Sequence, residues 1–365
     1  MDENTKTQYN NIIADYLNQY DKITKQEIEY MVDNLCWHNS NKGGLNCKHF
    51  KIVNNNLYFS GNENFSGWES RIEAFKYMIL ETLKIYTITD CEFVIFDEDS
   101  INEMSYPKCI YNGKQVPLIV TTSVLNLFNM ILCPDFTFSF IPEYDIKNNE
   151  QMCKDVVEHQ NIINFKDKIS QLVWRGSISH NYRDHYIKRD TIYNIENSQS
   201  NSNYRGQQGT MYKNENGLTP KQKSEYKYQL HLNGHKGTNI DGAYSSAFKW
   251  ALMGKSLVFY SAPAVYREFW MHESIFRESE HYIYSTTPDE LDKKYNYYRN
   301  NDEESEKIAT NGFIFFSKYL LDYNNIKYYM QQLLNEYAKK IDYKVTLNDN
   351  DKLITCIKYC EYLEN

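Results

Sequence analysis

Two short segments about 60 residues apart carry the residue types that hold an anionic ligand. Trp174-Arg175-Gly176-Ser177 closes an apolar run, and Asp241-Gly242-Ala243-Tyr244-Ser245-Ser246 stands just ahead of Lys249. An arginine is always charged, and its guanidinium forks onto phosphate oxygens. The neighbouring glycine lets the backbone come close to a ligand, and Ser177 adds a hydroxyl donor. Arg183, eight residues beyond Arg175, can return to the same pocket. Taken alone, a surface salt bridge accounts for Arg175 equally well. The second segment shifts the balance. Gly242 permits a tight turn, and Ser245 and Ser246 can cap a following helix. The N-terminus of that helix would turn partial positive charge and open N–H groups toward an anion.

Asp97 and Asp99 are the acidic counterparts. They follow a short apolar strand, residues 91–96, in the pattern that sets a carboxylate at the carboxyl end of a strand in an open α/β sheet. Transfer of a sugar from an anionic donor to a hydroxyl needs a base for the acceptor proton and cations for the departing diphosphate. One carboxylate opposite an Arg/Ser pocket is the minimal set for an inverting transfer. An ordinary acidic loop is the competing reading of both aspartates.

The elements that must position these groups follow from hydrophobic spacing. Residues 11–35 read as one or two helices and 49–59 as a strand pair around an Asn-rich turn. Residues 67–86 read as a helix, with Ile72, Phe75, Ile79 and Leu83 on one face. Strands are expected at 91–96, from Ile119, and at 136–140, and residues 150–170 as a linking helix. Beyond them, 172–174, 226–232 and 256–260 read as strands, and 243–253, 302–316 and 326–337 as helices. Residues 194–221 are polar and Asn/Gln/Gly-rich, the composition of an insert. The expected fold class is α/β with two domains, residues 1–165 and 166–325, followed by C-terminal helices at 326–365.

Composition excludes several classes. Aromatic residues make up 15% of 365 residues and charged residues 24%, enough apolar matter for real cores. A formal charge of -8 argues against nucleic acid as a partner. The greasiest stretch, 116–132, is interrupted by polar residues and falls short of the roughly 20 a membrane span needs, so a buried strand or helix is expected. The first 30 residues carry no secretory signal. The eight cysteines are accordingly expected to be reduced thiols and the location cytoplasmic; the Asn and Tyr enrichment, of the kind an AT-rich coding bias produces, adds host cytoplasm or the virion of a large DNA virus as variants of that expectation. Cys36-Trp37-His38 and Cys47-Lys48-His49 resemble zinc spacing only loosely, and buried thiols are the expected reading.

At these residues the chain resembles the CAP10-like glycosyltransferases of family 90. The resemblance runs from about residue 49 to 337 and rests on HFKIVNNNLY (49–58), CEFVIFDED (91–99), PDFTFSF (134–140), WRGSISHNYRD (174–184) and DGAYSSAFKWALMGKSLVFY (241–260). REFW, EHYIY and NDEESEKIATNGFIFF follow it in order. The resemblance implies a GT-B-type fold of two Rossmann-like domains, with 1–165 on the acceptor side, 166–325 on the nucleotide-sugar side, and the helices of 326–365 packing back toward the first domain. It also implies an inverting, metal-independent transfer of glucose or xylose from a UDP-sugar to a protein or glycan hydroxyl, with no further cofactor. Asp99 would be the base, Arg175 and Ser177 would bind the diphosphate, and Gly242 through Ser245 would hold nucleotide and donor phosphate. Glu268 and His281-Tyr282 would support the donor pocket. Animal members carry an arginine two positions after the motif serine; here Ala247 stands there, with Lys249 as the nearby cation. That departure motivates an alternative, an impaired relative that binds glycans or acts as a scaffold. Acceptor recognition is expected in loops such as 106–115.

Overall fold

Asn54 and Asn55 sit at φ 51° and 59°, a left-handed pair that asparagine tolerates and that matches the twist of a two-residue hairpin. This turn joins β1 (Cys47–Val53) to β2 (Asn56–Ser60), the strand pair that the alternating sequence predicts. The computed structural model describes residues 1–36, 45, 47–60, 69–96, 101, 106–124, 129–138, 146–176, 183, 185–186, 193–197, 218–234 and 245–355. The protein is α/β, and its chain forms two compact units. One comprises Met1–Pro142, Arg267–His272 and Tyr323–Asn365; the other comprises Glu143–Tyr266 and Glu273–Asp322.

In the first unit, α1 (Glu3–Leu17) starts where the Asp2 carboxylate accepts from the Thr5 N–H at 2.8 Å. α2 (Lys25–Asn34) starts at a reciprocal capping box between Thr24 and Glu27. α3 (Glu69–Leu83) precedes β3 (Cys91–Phe96), whose six residues are all buried, as expected of a strand covered on both faces. Short strands follow: β4 (Ile110–Tyr111), β5 (Lys114–Gln115), β6 (Ile119–Val120), β7 (Ser123–Val124) and β8 (Ile131–Leu132). Of these, β4 and β5 pair with each other, while β6 and β8 join β1, β2, β3 and β15 (Asp351–Leu353) in a sheet of order β15-β2-β1-β3-β6-β8. It is antiparallel from β15 to β3 and parallel from β3 to β8. The described part of the 116–132 stretch thus contributes short strands, and no helix among the described residues is long and apolar enough to cross a membrane.

Residues 136–140 depart from expectation. Phe136–Phe138 forms a 3-10 turn, because the Thr137 hydroxyl donates to the Asp135 carboxylate at 2.8 Å and the Phe138 N–H closes on the Asp135 carbonyl at 3.2 Å. Local bonding by Asp and Thr here outcompetes the strand that alternating aromatics suggest; residues 139–140 lie outside the described residues. Cys36 and Cys47 are buried thiols held side by side as β-bridge partners, and His49 Nε2 is engaged with Glu92 at 2.8 Å. Trp37 and His38 lie outside the described residues, and among those described no metal-holding cluster forms.

The second unit opens with α4 (Ile146–Ile162) and carries a sheet of five parallel strands. These are β9 (Ile169–Gly176), β10 (Tyr193–Asn197), β11 (Tyr226–His231), β12 (Leu257–Ser261) and β14 (Ile283–Ser285). The short strand β13 (Tyr266–Arg267) stands where the chain passes into the segment 267–272. One face of the sheet packs Leu172, Trp174, Tyr228, Leu230, Leu257 and Phe259 against Leu291, Tyr295 and Ile308 of the helices Pro288–Arg299 and Asp302–Phe315. Residues 194–197, expected in the polar insert, instead complete the edge strand β10, paired in register with β9. Edge pairing uses backbone groups and does not require apolar side chains, which is why this strand lacks a hydrophobic signal. Residues 198–217 lie outside the described residues.

Candidate functional site

The strand order in the second unit is β10-β9-β11-β12-β14. The chain runs from β9 outward to β10, then crosses back to β11 and continues the other way. The order therefore reverses between β9 and β11, and the carboxyl ends of those two strands form a topological switch point. Ligands of open α/β sheets bind at such points, because the diverging connections leave a crevice there. The Trp174-Arg175-Gly176 segment is the carboxyl end of β9.

Arg183 lies at this end. It is buried, its Nε donates to the Asn233 carbonyl just past β11 at 2.9 Å, and its guanidinium carbon lies 5.5 Å from the centre of the Trp174 ring. The Asn233 side chain is fixed in turn: Nδ2 donates to the Ala264 carbonyl at 2.9 Å, and Oδ1 accepts from the Tyr260 hydroxyl at 2.6 Å. Tyr260 also accepts the Tyr266 N–H at 3.0 Å. Three strand ends are thereby tied by one arginine, one asparagine and one tyrosine. His231, the last residue of β11, is buried beneath them. Burial, with the Arg183 charge nearby, pushes its imidazole down to about 3, so it is neutral at physiological pH.

Gly176 has a steric reason to be glycine. A Cβ there would stand 2.5 Å from Cζ2 of Trp174, so the indole folds over the position where a side chain would project. Arg175 points along the sheet to the edge strand. Its Nη1 donates to the Asn194 and Trp174 carbonyls at 2.6 and 2.9 Å, and its Nη2 donates to Asn194 Oδ1 at 2.6 Å. Asn194 is itself oriented by donating to the Tyr226 hydroxyl at 2.9 Å.

The second segment leads into a helix of six residues, Ala247–Leu252. Ser246 occupies the N-cap in a right-handed helical conformation and makes no side-chain capping bond, contrary to the capping expectation. Its backbone is not in the extended conformation that lets a serine hydroxyl reach the first-turn N–H groups. Ser245 closes the turn through its carbonyl, which accepts from Phe248 N at 3.5 Å. Ala247 is exposed, whereas Lys249 is buried with its ammonium 5.7 Å from the Trp250 ring centre. The helix is anchored by Phe248, which stacks on His231 at 4.9 Å and meets Tyr260 at 5.0 Å and Tyr282 at 5.3 Å.

His281 and Tyr282 serve that anchor. Tyr282 stacks on Phe276 at 4.9 Å and 3°, and His281 Nδ1 accepts the Arg277 N–H at 3.1 Å while its ring lies on Phe276. Burial holds the His281 imidazole below its ordinary range. Glu268 is fully buried and belongs to the first unit, next to Phe269, which packs on Tyr329 at 4.4 Å. Asp97, Asp99, Ser177, Gly242, Ala243 and Tyr244 lie outside the described residues.

The structure thus brings Arg183 to the carboxyl end of β9 and turns the side chain of Arg175, itself on β9, toward Asn194 of the neighbouring strand β10. Sequence reasoning missed Asn233, Tyr260, Asn194 and Phe248. Only Asn233-Gly234 left a trace, a polar-glycine pair directly after an apolar strand. A buried guanidinium held by main-chain carbonyls keeps a positive charge fixed at this end of the sheet, the kind of group that enzymes set beside a charged leaving group. The family model described as Glycosyl transferase family 90 matches residues 5–362. No curated protein matches the chain.

Proposed function

The chain belongs to glycosyl transferase family 90, and on that premise we propose that it moves a hexose or pentose, glucose or xylose, from a UDP-sugar to a hydroxyl of a protein or glycan, with inversion. In this reading the two α/β units are the halves of a GT-B-type transferase, the first carrying Asp99 as the base and the second holding the donor. The diphosphate lies at the carboxyl ends of β9 and β11. Arg175, Arg183 and Ser177 meet its charge, and Gly242, Ala243, Tyr244, Ser245 and Ser246 close over the nucleotide. Lys249 is a further donor-binding cation, and Asp97, Glu268 and His281 support these groups. The arginines supply the positive charge a metal ion would otherwise bring to the leaving group.

The observation that carries this reading is the family match along nearly the whole chain. The switch point between β9 and β11, occupied by a buried, hydrogen-bonded arginine, supports the placement of the donor. The test is a comparison of UDP-glucose, UDP-xylose, UDP-galactose and UDP-N-acetylglucosamine by calorimetry and donor hydrolysis. One of the first two is expected to bind most tightly and to release UDP. Failure of UDP and all four donors to bind would overturn the proposal.

A further inference from the structure

A cavity of about 650 Å³ lies in the first unit, within the size range of about 300–1,000 Å³ common for small-molecule sites. The turn after α1, the start of α2 and the β4–β5 hairpin line it. The hairpin is rigid by construction. Asn112 and Gly113, at φ 50° and 74°, make a two-residue turn of the type that matches strand twist. Gln115 is locked behind it, donating to the Tyr20 hydroxyl at 3.0 Å and to the Asn129 carbonyl at 2.8 Å, and accepting from Tyr106 at 3.0 Å. Tyr111 lines the cavity and is braced by Tyr30, ring centres 4.7 Å apart.

The charges around the cavity cancel. Asp21 and Glu27 stand against Lys22 and Lys114. Glu27 is committed to the α2 cap, accepting from the Thr24 N–H at 2.8 Å. Among the described residues Asp21, Lys22 and Lys114 enter no side-chain hydrogen bond or ion pair. Such a wall has no net charge with which to retain a phosphate or carboxylate. It does offer uncommitted donors and an uncommitted acceptor beside an aromatic ring. A pyranose needs that combination: each hydroxyl both donates and accepts, and the C–H face of the ring lies on an apolar surface. We propose that this cavity is a binding site for a neutral saccharide, the sugar of a glycan acceptor. The choice of a saccharide among neutral polar ligands rests on the transferase reading.

The experiment titrates the full chain with neutral di- and trisaccharides, using saturation-transfer NMR and calorimetry. Inorganic phosphate, a Ser/Thr-containing peptide and UDP are run in parallel. A neutral saccharide is expected to bind. Tyr111→Ala should weaken it by about tenfold through loss of the ring contact, and the exposed-loop variant Asp21→Ala should weaken it without touching the fold. UDP affinity should be unchanged in both. The site is refuted if saccharide affinity is the same in wild type and both variants, or if only phosphate or the peptide binds. Saccharide binding by a chain that does not bind UDP would sustain the site and refute the donor reading. UDP binding without saccharide binding would do the reverse.

Discussion

Arg183 donates from Nε to the main-chain oxygen of Asn233 at 2.9 Å, joining the segment after β9 to the end of β11 across the point where the strand order reverses. Both residues are buried. Replacing Arg183 by Met keeps much of the contact with Trp174 and removes the charged donor, leaving the Asn233 carbonyl short of its partner. The expected cost is about 1.5–3 kcal/mol in urea unfolding, the range for a hydrogen bond to a charged group. Under the donor reading, UDP affinity falls too. A variant as stable as wild type would mean that the bond is not a structural tie.

Gly176→Ala tests the packing of the same corner. The new Cβ would stand 2.5 Å from the Trp174 ring, and Trp174 also contacts Arg183. The indole must shift, so a destabilisation of about 1–3 kcal/mol is expected from overpacking. The near-ultraviolet circular dichroism of the tryptophan should change with it. An unchanged spectrum would show that the indole does not cover Gly176 in solution.

The legible parts of this fold are those in which local chemistry and burial agree. Residues 91–96 form a strand because six consecutive positions are buried, and the hairpin at 49–59 forms because asparagines stand where φ must be positive. Arg183 was singled out only for its distance to Arg175. Its partners were not, since Asn233 contributes a backbone carbonyl that carries no residue-type signal. The edge strand β10 is polar, and β15 is held by an ion pair between Lys51 and Asp351 at 2.8 Å, a contact across 300 positions that no local pattern encodes. Phe269 packs on Tyr9 and Tyr329 in the first unit for the same reason: REFW looks like a local motif, and its neighbours are set by the chain's return.

His231 gives a pH signature. Its imidazole is held at about 3 in the folded protein against an ordinary 6.5, so between these values the unfolded chain binds the extra proton. Stability therefore rises with pH through that window and is lost as pH falls from 6.5 toward 3, by up to about 1.4 kcal/mol per pH unit from this one group. His231→Phe keeps a flat ring on Phe248 and removes the titration. The fall in urea midpoint from pH 7 to pH 4.5 should be shallower in the variant. Parallel curves would remove His231 as a source of acid sensitivity.

Under the proposed reading, in which Asp99 is the base, Asp99→Asn separates proton abstraction from donor binding. It removes a proton acceptor and leaves the phosphate contacts in place, so transfer should be abolished while UDP-sugar affinity stays near wild type. Near-normal turnover would take the role of base away from Asp99.

Arg175 raises a sharper question, because its guanidinium already makes three bonds of 2.6 to 2.9 Å, two of them to Asn194. An arginine that swings onto phosphate must break these, and Asn194→Ala would then release it and strengthen UDP binding. An arginine that works in place needs Asn194 to aim it, and the same substitution would weaken binding. Three short bonds, reinforced by the Tyr226 hydroxyl behind Asn194, favour the second course. Arg175→Ala and Asn194→Ala are each expected to weaken UDP by about tenfold, with the double variant little worse than either, the signature of residues acting as a unit. Tighter UDP binding in Asn194→Ala would show instead that Asn194 restrains Arg175 from the donor.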